Sequence, residues 1–527
     1  VYDRVLPNRA TETLWVMAVG IAMIVLGDLV LRTMRAYFLD WASNRVDVAL
    51  TTRIMEHVLG IRLEQRPTSV GSFANNLRSF ETIRDFITSA TITTFIDIPF
   101  ALIFLIVIAW IAPLLVIPAI VGSLLMLLYS FSVQVKMHAL SETMHRASAL
   151  RNATLIESLS SLETVKALGI EGQMQRKWEH SSHFLTEVSS KLRMLTSSIN
   201  NGTSSIQQFI TVSIVVLGVY LVMQGDLTMG GLIACSMLTS RALVPVAQTA
   251  GLLTQYHNAS TSLAALDEIM HRPVERPANG SFLSRPAFNG DIEFREVSFK
   301  YPEAEQDALT KVPFKIKAGE HVAILGRMGS GKTTIQKLIL GLYQPTSGAI
   351  LIDGIDARQI DPAELRRCVG YVQQDTQLFY GSMRDNLTIS APHVDDASVL
   401  EAAEIGGIAE FVNAHPNGFD MSVGERGDTL SGGQKQGVGI ARAFINKPSI
   451  VLLDEPTSAM DHSGEEAIKR KLAEATKDKT LVMISHRSSL YDLVNRIIVI
   501  DAGKIVADGP KDLVTEALRT GKIGKAV

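Results

Sequence analysis

The stretch Gly326-Arg-Met-Gly-Ser-Gly-Lys-Thr333 decides the fold of half of this 527-residue chain. It follows a short apolar segment, residues 322–325, and it precedes a helical pattern that begins at Thr334. This is the G-x-x-x-x-G-K-T pattern in its required strand–loop–helix setting. Glycines let the backbone bring its N–H groups around phosphate oxygens, and the helix N-terminus adds a favourable dipole. The sequence therefore predicts an α/β domain with a phosphate-binding loop.

The side chains that end this loop indicate a nucleoside triphosphate with magnesium. Lys332 is expected to reach the β- and γ-phosphates, and the Thr333 hydroxyl is expected to bind Mg²⁺. The predicted ATP site also contains the other loop residues and the next helical residue: Gly326, Arg327, Met328, Gly329, Ser330, Gly331 and Thr334.

A second apolar segment, residues 450–453, ends in two acids, Asp454 and Glu455. A carboxylate at the end of a strand can hold the magnesium shell, which fits Asp454. The next residue, Glu455, can then polarise the attacking water as a general base. The alternative is a plain strand end with solvated acids, but the phosphate loop already demands such a partner.

Between these motifs lies Leu430-Ser431-Gly432-Gly433-Gln434, followed by a helical pattern over residues 436–444. The adjacent glycines suggest a second helix start that faces phosphate. A single nucleotide need not use both helix starts within one subunit. The sequence therefore predicts a head-to-tail homodimer in which each nucleotide lies between two subunits.

The first half of the chain has long uncharged runs. A helix needs about 20 apolar residues to cross a bilayer, and the pattern predicts spans near residues 13–33, 90–111, 113–135, 205–224 and 227–248. The run 98–135 contains no charged residue and is too long for one crossing, so a turn is expected at Ala112-Pro113. Buried helices of a large soluble protein are disfavoured by that run.

Basic residues predict the orientation. They cluster in the long segments between the first and second spans and between the third and fourth, whereas the connections near Ala112 and Gly225 have no Lys or Arg. The long segments should face the cytoplasm, as should the C-terminal domain. Five spans would then start the chain outside, so we expect a sixth span before Val1. Both segments should extend the membrane helices, with breaks at 66–71 and 167–171.

Two ionisable residues, Asp28 and Arg241, lie within apolar runs. Charge in lipid is costly, so each should face a protein interior or a water-filled cavity. Both are candidates for the transport pathway. For Arg241, a structural ion pair or a position close to the cytoplasmic interface is the alternative.

The composition suggests three regions: a transmembrane domain over 1–270, a linker rich in Pro, Arg and Gly over 271–290, and a nucleotide-binding domain over 291–527. The net charge of -3 gives no support for a nucleic-acid partner. The two cysteines, Cys235 and Cys368, are far apart, so neither a disulfide framework nor a metal cluster is expected.

With these motifs in place, the chain resembles an ATP-binding-cassette (ABC) exporter, and residues 430–434 resemble the signature sequence of that family. The resemblance covers almost the whole chain. It implies an all-α transmembrane domain followed by an α/β ATPase domain, with ATP and Mg²⁺ as cofactors. It also implies roles for four further residues: adenine stacking by Tyr301, a magnesium contact by Gln374 rather than the adjacent Gln373, coupling between the two sites by Asp461, and a γ-phosphate contact by the switch histidine His486.

Three segments of the first half, residues 1–9, 163–172 and 241–248, are similar to type I protein secretion exporters of the hemolysin group. That likeness implies export of an unfolded RTX-type toxin or adhesin across the bacterial inner membrane, together with a periplasmic adaptor and an outer-membrane channel. A peptide or bacteriocin exporter and a lipid or drug exporter remain alternatives. A soluble mechanical ATPase is a third, which the predicted spans argue against.

Overall fold

The computed structural model describes residues 3, 5, 9–66, 73, 80–87, 92–277 and 280–521. The chain divides into two compact units. The first contains Val1–Leu59 and Pro67–Arg272, and the second contains Gly60–Arg66 and Pro273–Val527.

The first unit is helical. Pro113 occupies the first turn of its third helix, where its missing N–H costs nothing, and the extended Ala112 before it provides the predicted turn. The helices are α1 (Thr11–Gly60), α2 (Ile92–Ile111), α3 (Pro113–Ser160), α4 (Leu162–Leu168), α5 (Glu171–Gln224) and α6 (Met229–Met270).

Among the described residues, four helical segments are long and apolar enough to cross a membrane: Thr11–Gly60, Pro113–Gln134, Glu171–Gln224 and Met229–Thr249. Ile96–Ile111 forms a shorter apolar helix. The five predicted spans fall on α1, α2, α3, α5 and α6, with residues 90 and 91 outside the described part of the chain.

The helices run well beyond the length that a bilayer needs. Helix α3 has 48 residues and α5 has 54. Gly169, in the left-handed conformation, ends α4, and α5 begins at Glu171, which is where the second break was predicted. The first predicted break lies outside the described residues from Pro67 onward.

Helices α2, α3, α5 and α6 share one apolar core, which includes Ile108, Leu115, Met126, Ile214 and Leu243. Helix α1 differs, because its apolar side chains between Leu14 and Leu31 are exposed within this unit. Such a continuous apolar surface is typical of a helix that contacts lipid or another subunit.

The second unit is an α/β domain with two sheets. An antiparallel sheet has the strand order β2-β1-β4-β5, and a six-stranded sheet has the order β10-β9-β3-β8-β7-β6. Strands β9, β3, β8, β7 and β6 are parallel, and β10 is the antiparallel edge. The strands are β1 (Ile292–Phe299), β2 (Leu309–Ile316), β3 (His321–Leu325), β4 (Ser347–Ile352), β5 (Ile355–Asp356), β6 (Val369–Val372), β7 (Ile450–Asp454), β8 (Thr480–Ile484), β9 (Arg496–Asp501) and β10 (Lys504–Pro510).

One face of the six-stranded sheet packs against strands of the antiparallel sheet and the helix after β3, and the other face packs against the last three helices of the unit, so the parallel strands are buried on both faces. Strands β7 and β8 are buried along their whole length. The helices are α7 (Lys332–Ile339), α8 (Pro362–Cys368), α9 (Met383–Thr388), α10 (Asp396–Ile405), α11 (Ala409–Ala414), α12 (Gly432–Phe444), α13 (His462–Ala475) and α14 (Lys511–Arg519).

The segment Gly60–Arg66 belongs to this second unit, although the predicted domain 1–270 contains it. Ile61 forms a β-bridge with Val274, and the Glu275 N–H donates to the Gly60 carbonyl at 2.7 Å. The Gln344 N–H donates to the Glu64 carboxylate at 2.7 Å. These bonds join residues more than 200 positions apart, which local sequence patterns do not reveal.

Gly370 in β6 provides a test of how closely the sheet and α12 pack. A Cβ at this position would clash with the Ala443 carbonyl oxygen and would lie 2.8 Å from a Pro448 ring carbon. Gly370→Ala should therefore lower the free energy of unfolding by about 1–3 kcal/mol, as measured by urea or thermal unfolding.

The matched control is Gly509→Ala, since a Cβ there meets only Val514 at an ordinary 3.6 Å. Equal stability of the two variants would contradict this account of the packing.

Candidate nucleotide site

The phosphate loop joins β3 to α7. Gly331 caps α7 with a φ of 100°, and a Cβ there would lie 2.6 Å from the Ala308 carbonyl oxygen. Only glycine fits a left-handed backbone in such close contact. The loop therefore places the N–H groups that begin α7 at the carboxyl end of β3, in the arrangement that binds phosphate.

Lys332 begins α7, and its ammonium is held above the loop. Its Nζ donates to the Gly326 carbonyl at 2.7 Å and to the Arg327 carbonyl at 2.8 Å. Burial lowers the pKa of Lys332, and the nearby charges of Glu455 and Asp454 act in the opposite direction. A phosphate oxygen that replaced these carbonyls would meet a partly desolvated cation, which strengthens the ionic interaction.

The structure brings Thr333 and Asp454 together, although they are 121 positions apart. The Thr333 hydroxyl donates to the Asp454 carboxylate at 2.9 Å. Asp454 is 2% exposed, and burial raises its pKa. A hydroxyl beside a buried carboxylate offers the hard oxygen ligands that Mg²⁺ prefers, so this pair fits the ion. Gln374, the third predicted ligand, lies exposed after β6.

Glu455 follows β7 with a φ of 49°, a conformation that is rare outside glycine and that often marks functional sites. The His486 N–H donates to one oxygen of its carboxylate at 2.9 Å, and the Ser485 hydroxyl donates to the other at 3.4 Å. The His486 Nε2 lies 3.9 Å from the same carboxylate. The two predicted catalytic residues are therefore neighbours, and Ser485 is a contact that the motifs did not identify.

The signature segment forms the start of α12. The Gln434 N–H donates to the Ser431 hydroxyl at 3.3 Å, and the Gln434 side chain accepts from the Ser431 N–H at 2.8 Å. This capping box fixes the helix start. Ser431 and Gly432 are exposed, whereas Leu430 is buried. The helix thus presents its positive end at the surface of the unit.

Tyr301 is part of an aromatic cluster beside α7. Its ring packs edge-on against Phe299 at 4.9 Å and Tyr343 at 5.3 Å between centroids. Its hydroxyl lies 3.1 Å from the Thr334 hydroxyl. This places the predicted adenine platform next to the first turn after the phosphate loop. Tyr343 was not predicted, because only the fold brings it to the cluster.

Asp461 caps α13 within its own unit. Its carboxylate accepts from the Gly464 N–H at 3.0 Å and from the Ser463 hydroxyl at 2.7 Å. These bonds lower the pKa of Asp461. A local capping role is thus assigned by the structure, and coupling between two nucleotide sites stays a prediction.

The remaining loop residues differ in exposure. Met328 is 97% exposed, whereas Ser330 is buried and its hydroxyl has no hydrogen-bond partner among the described residues. Such a hydroxyl at the base of a phosphate loop is available to a ligand.

In the first unit, Asp28 forms an ion pair with Arg32, with 2.8 Å between the Asp28 Oδ2 and the Arg32 Nε. Arg241 is exposed on α6, beside the buried Ala242 and Leu243. The two candidate pathway residues therefore do not pair with each other in the described structure.

The burial of Asp454 predicts a conflict between stability and function. Its raised pKa means that the folded protein binds more protons than the unfolded one between the unfolded-state and folded-state pKa values. Stability is therefore lost as the pH rises through that interval. Asp454→Asn should raise the melting temperature of nucleotide-free protein at about pH 7, and the gain should shrink toward about pH 4.

The control for this measurement is Asp478→Asn, which changes an exposed carboxylate. A lower melting temperature for Asp454→Asn at neutral pH would contradict the assigned burial penalty.

Comparisons with known proteins identify the family and the fold of the chain. The family model "ABC transporter" matches residues 309–458, and "ABC transporter transmembrane region" matches residues 1–245. A bacterial Atm1-family ABC exporter with ATP bound has a TM-score of 0.88, with 24% identity, over 98% of this chain and 91% of that one. The predicted fold class, a helical transmembrane domain followed by an α/β ATPase domain, is confirmed.

Two curated relatives are similar over nearly the whole chain. The toxin RTX-I translocation ATP-binding protein of Actinobacillus pleuropneumoniae is 34% identical over 98% of this chain and 73% of its own length. The alpha-hemolysin translocation ATP-binding protein HlyB of Escherichia coli is 33% identical over the same shares. With the phosphate loop, the acids after β7 and the capped signature helix in one unit, these likenesses show that the chain belongs to the ABC exporters of the hemolysin-translocation group, multi-pass membrane proteins driven by ATP hydrolysis.

Proposed function

We propose that this chain exports an unfolded RTX-type toxin or adhesin across the bacterial inner membrane in type I secretion. The named roles of its relatives in toxin translocation support this cargo class. The observation that carries the ATP-driven part is the pairing of Glu455 with the His486 N–H next to the Thr333–Asp454 pair.

The contacts of the site support the following roles in nucleotide binding. Lys332 and the N–H groups of residues 326–334 bind the phosphates, and the cluster around Tyr301 holds adenine. Thr333, Asp454 and Gln374 would hold Mg²⁺. When bound, the ion neutralises phosphate charge and orients the γ-phosphoryl group.

Glu455 acts as the general base. Its carboxylate, fixed by the His486 N–H, orients a water for attack on the γ-phosphorus and accepts a proton from it. The bond between the γ-phosphorus and the leaving oxygen of ADP breaks, and inorganic phosphate forms. His486 contacts the γ-phosphate and keeps the glutamate in place.

A homodimer completes each site. The exposed N-terminus of α12 in one subunit supplies residues 430–434 to the nucleotide held by the other, in a head-to-tail pair. Because each chain carries the full set of predicted residues, both sites hydrolyse ATP. Phosphate charge favours the closed pair, and its loss after hydrolysis lets the two cassettes separate.

Transport follows from this opening and closing. The basic segments between spans support a cytoplasmic ATPase domain, and in this proposal the long helices α3 and α5 carry its motion to the membrane. Asp28 and Arg241 are candidates for the pathway, since a charge in an apolar span favours a water-filled surface. A periplasmic adaptor and an outer-membrane channel complete the route.

Glu455→Gln tests the assigned base. Without a proton acceptor the ATPase rate should fall about 10²-fold or more, whereas ATP binding persists. ATP-bound dimer should accumulate, as measured by size-exclusion chromatography with light scattering, and export should stop.

Glu474→Gln, which alters an exposed glutamate on α13, serves as the control and should keep the wild-type rate. Undiminished hydrolysis by Glu455→Gln would reject Glu455 as the base. Equal turnover by an isolated monomer would reject the shared site.

The cargo class is tested by ATPase stimulation in lipid nanodiscs. An unfolded glycine/aspartate-repeat polypeptide should raise the ATPase rate about five-fold or more, a factor within the usual range of coupling between sites. A short bacteriocin-type peptide and added lipid or drug should leave it unchanged. Stimulation by the peptide alone, or by lipid or drug alone, would replace the proposed cargo with that class.

A further inference from the structure

A buried amide connects the signature helix to the catalytic loop. Gln436 lies on α12, two residues after Gln434, and is 3% exposed. Its Nε2 donates to the Ser458 hydroxyl at 2.6 Å and to the Glu455 carbonyl at 3.3 Å. Its Oε1 accepts from the Ala459 N–H at 3.0 Å. Both polar atoms of the amide are thus used within one loop.

This loop, residues 455–461, begins at the proposed base and ends at the cap of α13. The base itself has the left-handed backbone described above, which the surroundings must maintain at a free-energy cost. Gln436 bonds to the carbonyl of that same residue. The amide therefore helps to fix the peptide unit that sets the direction of the Glu455 side chain.

Arg487 holds the same loop from the other side. Its guanidinium donates to the Ser458 carbonyl at 3.1 Å and to the Met460 carbonyl at 3.5 Å. It also pairs with the buried Glu465, which accepts a hydrogen bond from Ser489. Because Arg487 follows His486 in sequence, this clamp ties the loop to the switch histidine.

Gln436 and Arg487 both bind the loop 455–461, but they connect it to different parts of the unit. Arg487 connects the loop to the histidine of the same nucleotide site. Gln436 connects it to α12, whose exposed start faces outward, where the proposed dimer places the other nucleotide. A shift of α12 would therefore displace Glu455. The displacement would be transmitted by two hydrogen bonds from Gln436 to the loop backbone and by one to the Ser458 hydroxyl.

We propose that Gln436 is a positioning residue that transmits the state of the signature helix to Glu455 of the same chain. It makes the hydrolysis of one nucleotide depend on the engagement of the other. Gln436 acts on the reaction only indirectly, through the Glu455 carbonyl and through residues 458 and 459. The inference rests on the proposed homodimer.

The test uses the whole protein in lipid nanodiscs. Gln436→Met keeps the side-chain length and removes all three hydrogen bonds. The kcat for ATP should fall about 10-fold or more, because a small misplacement of a catalytic group is costly. The KM should stay within about two-fold, and the Hill coefficient should fall toward 1, since phosphate contacts persist but communication is lost.

The matched control is Asn386→Met, which removes a buried amide of similar connectivity. Asn386 bonds to Phe379, Ser382 and Arg442, all away from the loop 455–461. It should lower the melting temperature as Gln436→Met does, yet keep the Hill coefficient. Loss of cooperativity in both variants would reduce the Gln436 effect to general destabilisation and overturn the proposal.

Ser458→Ala gives an independent measurement if Gln436→Met does not fold. It deletes one acceptor and should lower kcat about two-fold to five-fold, a loss within the worth of one hydrogen bond. The double variant should fall no further than Gln436→Met alone, because both changes break one connection. Unchanged kcat in Ser458→Ala, or additive losses in the double variant, would overturn the proposal.

The wild-type protein separates the two levels of inference. A wild-type Hill coefficient of 1 with full activity as a monomer would reject the proposed dimer. Cooperative wild-type hydrolysis with an unaffected Gln436→Met variant would reject only the role of Gln436.

Discussion

The register of three adjacent parallel strands fixes the nucleotide site. In β3, β8 and β7, Ile324 lies opposite Ile484, and Ile484 lies opposite Asp454. The chain leaves all three strands at one edge of the sheet, so the phosphate loop, the switch histidine and the two acids emerge side by side. A one-residue slip of β7 would turn each of its side chains to the opposite face of the sheet and would separate Thr333 from Asp454.

The site keeps this arrangement at a cost to stability. A buried carboxylate and a left-handed glutamate are both unfavourable in the absence of ligand. The surroundings compensate with fully buried strands and with hydrogen bonds to each strained group. Such a trade-off between stability and activity is common in sites that keep charged groups in place for a substrate that binds reversibly.

Much of this site could be predicted from sequence, because its motifs are local. Each motif can be recognised from a few consecutive residues: the loop 326–333, the acids after 450–453 and the glycines at 432–433. Tyr343, Ser485 and Gln436 could not be predicted, since their roles depend on neighbours brought by the fold from distant parts of the chain. The sequence did not predict that residues 60–66 belong to the second unit, for the same reason.

Because residues 60–66 belong to the second unit, a complete ATPase module includes them. Three peptide links, at 59–60, 66–67 and 272–273, connect the two units instead of one. A protein fragment that starts at residue 291 would omit the β-bridge between Ile61 and Val274. It would also omit Glu64, which binds Gln344, and Glu275, which binds Arg366. Such a fragment would lack part of the second unit. Its surface around Gln344 and Arg366 would therefore differ from that of the intact transporter.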